Sequence, residues 1–175
     1  ARLQPQACQW PLARLGDREP LVPAERGSET RRGIDLGYAT SALDSKLFVP
    51  VHATQAGEIA AALDVATGYA ITIDHGDRTM MTHYAHLSKM FVTPCIPKDH
   101  ASHRQYVHAG QVIGYAAKAP LHLRFELWRW NADSGYAADD AIPQMQTWAQ
   151  VPQPVAGSEL ERGGARGGRG EAARR

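Results

Sequence analysis

From Gly33 to Trp130 the alternation of apolar and polar residues reads as mostly strand. The most regular segment is His122 to Trp130 (HLRFELWRW), in which Leu123, Phe125 and Leu127 fall on one face and His122, Arg124 and Glu126 on the other. Tyr69 to His75 alternates in the same way, with Ile71 and Ile73 opposed to Thr72 and Asp74. The dipeptide Gly76-Asp77 predicts a turn and Thr79 to Leu87 a returning strand, which together make a hairpin. Lys46 to Ala53 is a β-rich apolar run, and Gln111 to Ala116 is a short strand after the Ala109-Gly110 turn. Gly57 to Leu63 is Ala-rich and scores as strand or helix. Short strands, Gly-rich turns and no βαβ alternation predict an antiparallel all-β core.

The flanks differ. Residues 1–30 read as an irregular lead-in, because Pro5, Pro11, Pro20 and Pro23 prevent a long helix. The polar stretch between Val92 and Val107 predicts an extended surface loop, and Ala137 to Gln150 a short helix with Pro143 near its first turn. From Ala156 the chain is Arg- and Gly-rich with almost no apolar surface, which predicts a disordered tail. The expected organisation is therefore a lead-in at 1–30, a folded domain at 31–150 and a tail at 151–175.

Composition narrows the function classes. The chain has 175 residues, 43% of them hydrophobic, which suits one domain with its own core. Nineteen Lys and Arg against eighteen Asp and Glu give a formal charge of +1, without the basic excess of a nucleic-acid-binding domain. No apolar run approaches the ~18 residues of a bilayer span. No secretory signal is visible in the chain, which starts at Ala1. The two cysteines, Cys8 and Cys95, exclude a disulfide scaffold and a multi-Cys zinc module. Whether they form one disulfide or remain separate thiols is open at this level.

Three segments carry candidate chemistry: RRGIDLG at 31–37, THYAHLS at 82–88 and LHLRFEL at 121–127. In these the chain resembles the lysostaphin-type (LytM-like) zinc peptidases, which cut peptide cross-links in bacterial peptidoglycan. FVPVHATQAGEI at 48–59, YAITIDHG at 69–76 and AGQVIGYA at 109–116 also resemble that family, so the likeness spans Arg31 to Trp130. It implies an all-β fold, an antiparallel sheet or sandwich of the lysostaphin-like (barwin-like or duplicated hybrid motif) type with few short helices.

The resemblance further implies a zinc site built from His-x-Gly-x-Asp and the second His of a His-x-His strand. The first His of that pair and a His in Tyr-x-His-Leu would act in catalysis. Such a site needs three protein ligands and one open position for water. Carried onto this chain, Asp35 matches the ligand Asp, and His122 and His86 match the catalytic histidines. Arg31 and Arg124 stand at the two remaining ligand positions. Arginine offers only N–H donors and stays protonated, so it cannot ligate zinc.

The expectation is therefore a catalytically degenerate domain with no cofactor, acting as a cell-wall binding or hydrolase-regulating module. Its implied partner is a peptidoglycan peptide or a partner cell-wall hydrolase, in the periplasmic or extracellular envelope. Two alternatives stand beside it: an active zinc metalloendopeptidase with a rearranged site, and a structural component of an envelope-spanning or phage apparatus. A rearranged site drawing on His83 is disfavoured, because His83 and His86 are three apart and should face opposite sides of a strand. Asp35 is expected to contact Arg31 or Arg124. His52 is expected at a strand end without a partner, His75 in the hairpin, Tyr84 in packing, and His100, His103 and His108 in solvent. The turn AAKAP at 116–120 departs from the Gly- and Ser-rich turn of active relatives.

Overall fold

The computed structural model describes residues 8–12, 14–15, 33–38, 48–96, 104–118, 121–148 and 152–153. Arg31, His100, His103 and the tail from residue 156 lie outside the described residues.

Eleven strands and one short helix follow in chain order: β1 Arg14–Leu15, β2 Ile34–Gly37, β3 Pro50–His52, β4 Gly57–Val65, β5 Gly68–Asp74 and β6 Met80–Met90. After them come β7 Tyr106–Val107, β8 Val112–Lys118, β9 Leu121–Asn131, β10 Gly135–Asp139, α1 Ala141–Met145 and β11 Pro152–Gln153. Nine strands form one antiparallel sheet in the order β10-β9-β8-β6-β5-β4-β7, with β2 added to β9 and β3 to β8. The fold is all-β, as the alternation of apolar residues predicts. β1 and β11 make a separate parallel pair.

The core follows from the alternation. Leu123, Phe125 and Leu127 of β9 are fully buried beside Ile71 and Ile73 of β5, Tyr84 and Leu87 of β6, and Ile113 of β8. Fully burying each such side chain contributes about 1.5–3 kcal/mol. The lead-in adds to this layer: Leu12 is buried and bridges to Val51, and the Trp10 indole donates to the Met145 carbonyl at 2.9 Å.

The ambiguous Ala-rich segment is strand β4, paired with β5 from Glu58↔Asp74 to Val65↔Gly68. Its hairpin ladder with β5 overrides a local helix preference. The hairpin between β5 and β6 turns at Gly76-Asp77 as predicted, with Gly76, Asp77 and Arg78 all at positive φ. The expected helix is shorter than 137–150. Residues up to Asp139 pair with β9 as β10, and α1 starts only after Asp140, whose carboxylate accepts from the Ile142 amide at 3.1 Å. Cys8 and Cys95 are free thiols, which closes the question left open by the sequence.

The feature that builds the site is a change of partner along β6. Residues Met80 to Ala85 pair with β9, ending at Ala85↔Arg124, whereas Leu87 to Met90 pair with β8, starting at Leu87↔Ala116. His86 sits at the switch with φ +61°. On the other flank of β6, Tyr69↔Leu87 and Ile71↔Tyr84 in β5 leave one extra residue on β6, a β-bulge. Beyond the switch β9 turns to β8, through Ala117↔His122.

Candidate functional site

The polar face of this sheet is organised in cross-strand rows. Thr72 of β5, His83 of β6 and Glu126 of β9 form one row. Ala85 of β6, Arg124 of β9 and Asp35 of β2 form the next. Met81, Trp128 and Ala138 form the third. Between and above them runs a groove of about 540 Å³, lined by Gly33, Asp35, His83, His86, Arg124 and Glu126 among others. A second cleft of about 340 Å³, bordered by Thr72, Met81, Trp128 and Tyr136, continues it and shares His83, Glu126 and Trp128.

His86 and His122 meet where the three strands exchange partners. His86 Nδ1 lies 2.6 Å from His122 Nε2, and the rings stand edge-on at 4.8 Å. One nitrogen donates and the other accepts, so this contact holds only while at least one ring is neutral. Burial pushes the pKa of His86 down, His122 and Arg124 push the same way, and Asp35 opposes them.

The bulge overturns one expectation. His83 and His86 do not face opposite sides, because the extra residue at the bulge resets the alternation and both line the groove. His83 Nδ1 is 2.9 Å from Thr72 Oγ1, and burial lowers its pKa against the raising effect of Glu126.

Arg124 sits in the centre. Its Nη1 is 3.7 Å from Asp35 Oδ1 and its Nε is 3.6 Å from Glu126 Oε1. The expected contact between Asp35 and an arginine is therefore present, through Arg124. The guanidinium rests against Gly33, where a Cβ would come within 2.7 Å of Arg124 Cζ and 2.6 Å of Glu126 Cγ. The glycine of the RRGID segment is thus the floor on which the guanidinium lies. Glu126 is held in turn by the Trp128 indole, which donates to its Oε2 at 3.1 Å.

Other histidines serve the framework. His52, expected without a partner, is buried and has Nδ1 2.9 Å from the Gly110 carbonyl oxygen. The approach of the Gly110 turn to β3 is a long-range contact invisible in the local sequence. His75 spans from the Ala56 carbonyl to Thr82 Oγ1, and Tyr84 buries a hydroxyl against Thr54 and Thr82 as well as packing. His108 is exposed, as expected.

Sequence reasoning did not assign Gly33, Glu126, Trp128 or Tyr136 to the groove. For Glu126 and Trp128 a signal existed, since they continue the same face of β9 as Arg124 at a period of two. Among the described residues, no group of three His, Cys, Asp or Glu side chains is arranged to hold a metal ion.

A half-closed antiparallel sheet with its polar groove at the β2–β9–β6 junction is the fold of the lysostaphin-like peptidases. The sequence model of peptidase family M23 matches residues 29–137, more than half of the chain, and the chain belongs to that family. Solved structures agree on the fold. Lysostaphin from Staphylococcus simulans is 20% identical, with a TM-score of 0.52 over 86% of this chain and 60% of its own. A chain of the SpoIIQ–SpoIIIAH pore-forming complex is 17% identical, with a TM-score of 0.51 over 83% of this chain and 99% of its own. A zinc-containing peptidase from Vibrio cholerae is 22% identical, with a TM-score of 0.49 over 70% of this chain, which spans only 37% of that protein's length. No curated protein matches the chain by sequence.

Proposed function

We propose that this domain is a catalytically degenerate relative of the peptidoglycan peptidases, working in the cell envelope as a cell-wall binding or hydrolase-regulating module. The observation that supports this reading is that the guanidinium of Arg124, where the resemblance implies a ligand histidine, lies 3.7 Å from Asp35 Oδ1. The family implies zinc, and the donor set here does not fit it. A guanidinium has no lone pair to give and repels a dication, and here it sits beside the carboxylate that would bind the metal. His86 and His122 then remain as hydrogen-bonding groups for an occupant of the groove rather than as an acid–base pair around a metal-bound water.

Two other readings have specific support. The bulge at His86 puts His83 and His86 on one side of the sheet with His122 2.6 Å from His86, which removes the facing argument against a rearranged-site endopeptidase, although among the described residues no three such groups are placed to hold a metal. The likeness of fold to the SpoIIQ–SpoIIIAH complex, described as pore-forming, suits a structural component of an envelope apparatus. One experiment separates them. The protein is loaded with zinc, washed, assayed for metal and incubated with purified peptidoglycan. The degenerate reading expects well under one equivalent of zinc, no release of soluble peptide, and co-sedimentation with the polymer or stimulation of a hydrolase. Stoichiometric zinc with peptide release would overturn it in favour of the endopeptidase, and the absence of any peptidoglycan or hydrolase effect in favour of the structural role.

A further inference from the structure

The side chains around Arg124 alternate in charge. Asp35 faces Arg124 across β2 and β9, and Glu126 follows two residues along β9 on the same face. The separations of 3.7 Å and 3.6 Å are ion pairs, too long for N–H···O hydrogen bonds. Among the described residues the guanidinium donates no hydrogen bond, although only 18% of its side chain is exposed. An arginine has five N–H groups, and here they border the groove held in place but not used. Asp35 is 57% exposed; Glu126 is 24% exposed and gives Oε2 to the Trp128 indole, and among the described residues its Oε1 has only the long ion pair.

The charges restrict what fits. A simple anion drawn to Arg124 meets two carboxylates, and a simple cation drawn to those carboxylates meets the guanidinium. A ligand that presents a carboxylate beside an ammonium meets the guanidinium and one of the two carboxylates at once. The groove volume of about 540 Å³ is in the range of small-ligand sites, and the adjoining cleft between Met81, Trp128 and Tyr136 offers apolar surface for an aliphatic stem.

We infer that the Asp35–Arg124–Glu126 cluster recognises a zwitterionic residue of a peptide, with its free carboxylate on Arg124 and its free ammonium on Asp35 or Glu126. The preferred ligand is a short peptide ending in a diamino acid. The inference rests on the reading that this groove binds peptide rather than cutting it, and it names the part of the peptide that is read.

The test uses the whole chain and three probes: N-acetyl-alanyl-lysine, the same peptide as its C-terminal amide, and the same peptide acetylated on the lysine side chain. Isothermal titration should show each capped form binding about tenfold more weakly than the zwitterion, the effect of one charge-assisted hydrogen bond. In Arg124→Gln the preference for acid over amide should vanish while that for free over acetylated lysine survives. Glu126→Gln, or its pairing with Asp35→Asn, should do the reverse. If wild-type protein binds the three probes within twofold of one another, the inference fails. It also fails if none of them binds while the protein still co-sediments with peptidoglycan, and the binding reading then stands alone. If neither peptide nor peptidoglycan is bound, both are overturned.

Discussion

Gly33 offers a sharp test of how the site is held. An added Cβ would lie 2.6 Å from Glu126 Cγ and 2.7 Å from Arg124 Cζ and Nε. These are roughly 0.8–0.9 Å inside the ~3.5 Å optimum for carbon contacts. Two effects compete in Gly33→Ala. Restricting the unfolded chain stabilises by about 0.4–1 kcal/mol, and φ at Gly33 is not in the positive region, so alanine can adopt the backbone. Overpacking costs about 1–3 kcal/mol. The guanidinium can swing aside, but Glu126 Cγ is near the backbone of β9 and cannot yield easily. The steric effect should therefore win, with a net loss of about 1–2 kcal/mol. Urea denaturation should show this as a lower midpoint at unchanged slope. The displaced Arg124 should also lose its preference for a peptide carboxylate. In an Arg124→Ala background one of the two clashes is gone, so the cost of Gly33→Ala should fall by about 0.5 kcal/mol or more. A Gly33→Ala protein as stable as wild type, with the same carboxylate preference, would refute the idea that this glycine seats the guanidinium.

Three further outcomes are expected. Tyr84→Phe removes a fully buried hydroxyl that lies 3.0 Å from the Thr54 amide and from Thr82 Oγ1; stability should fall by about 1–3 kcal/mol in denaturant titration, and a loss within error would show that the network contributes nothing net. Burial lowers the pKa of His75 and His83 from the ordinary 6.5, so the unfolded chain takes up protons first as the pH falls. Their contribution is complete above about pH 6.5 and is lost below it, and urea midpoints should drop between pH 7.5 and 5.5, less steeply in His75→Gln; a flat profile would contradict the assignment. Replacing both Arg31 and Arg124 by His should raise zinc uptake towards one equivalent by elemental analysis. A folded double variant that takes up none would show that the loss of ligands is not confined to these two positions.

Much of the site was legible in the sequence because β9 obeys a strict period of two. Once Leu123, Phe125 and Leu127 are assigned to the core, His122, Arg124 and Glu126 must share the opposite face. The short motifs are local too, so an arginine where the resemblance implies a ligand histidine could be read directly, and with it the chemical argument against a family-type metal centre.

What no local pattern carried was the partnership of β6. Its alternation breaks at His86 because β9 supports the strand up to Ala85 and β8 supports it from Leu87 onward. That exchange depends on residues nearly 40 positions away in sequence, and it puts His83 and His86 in one groove with His122 beside His86. Pairing decides β4 as well: its alanines are helix formers in isolation and become strand by pairing with β5, the next segment of the chain, along nearly all of its length. Side-chain identity and alternation are properties of neighbouring residues and are written in the chain itself. Bulges and partner exchange are decided by which strands meet, and only the folded sheet decides that.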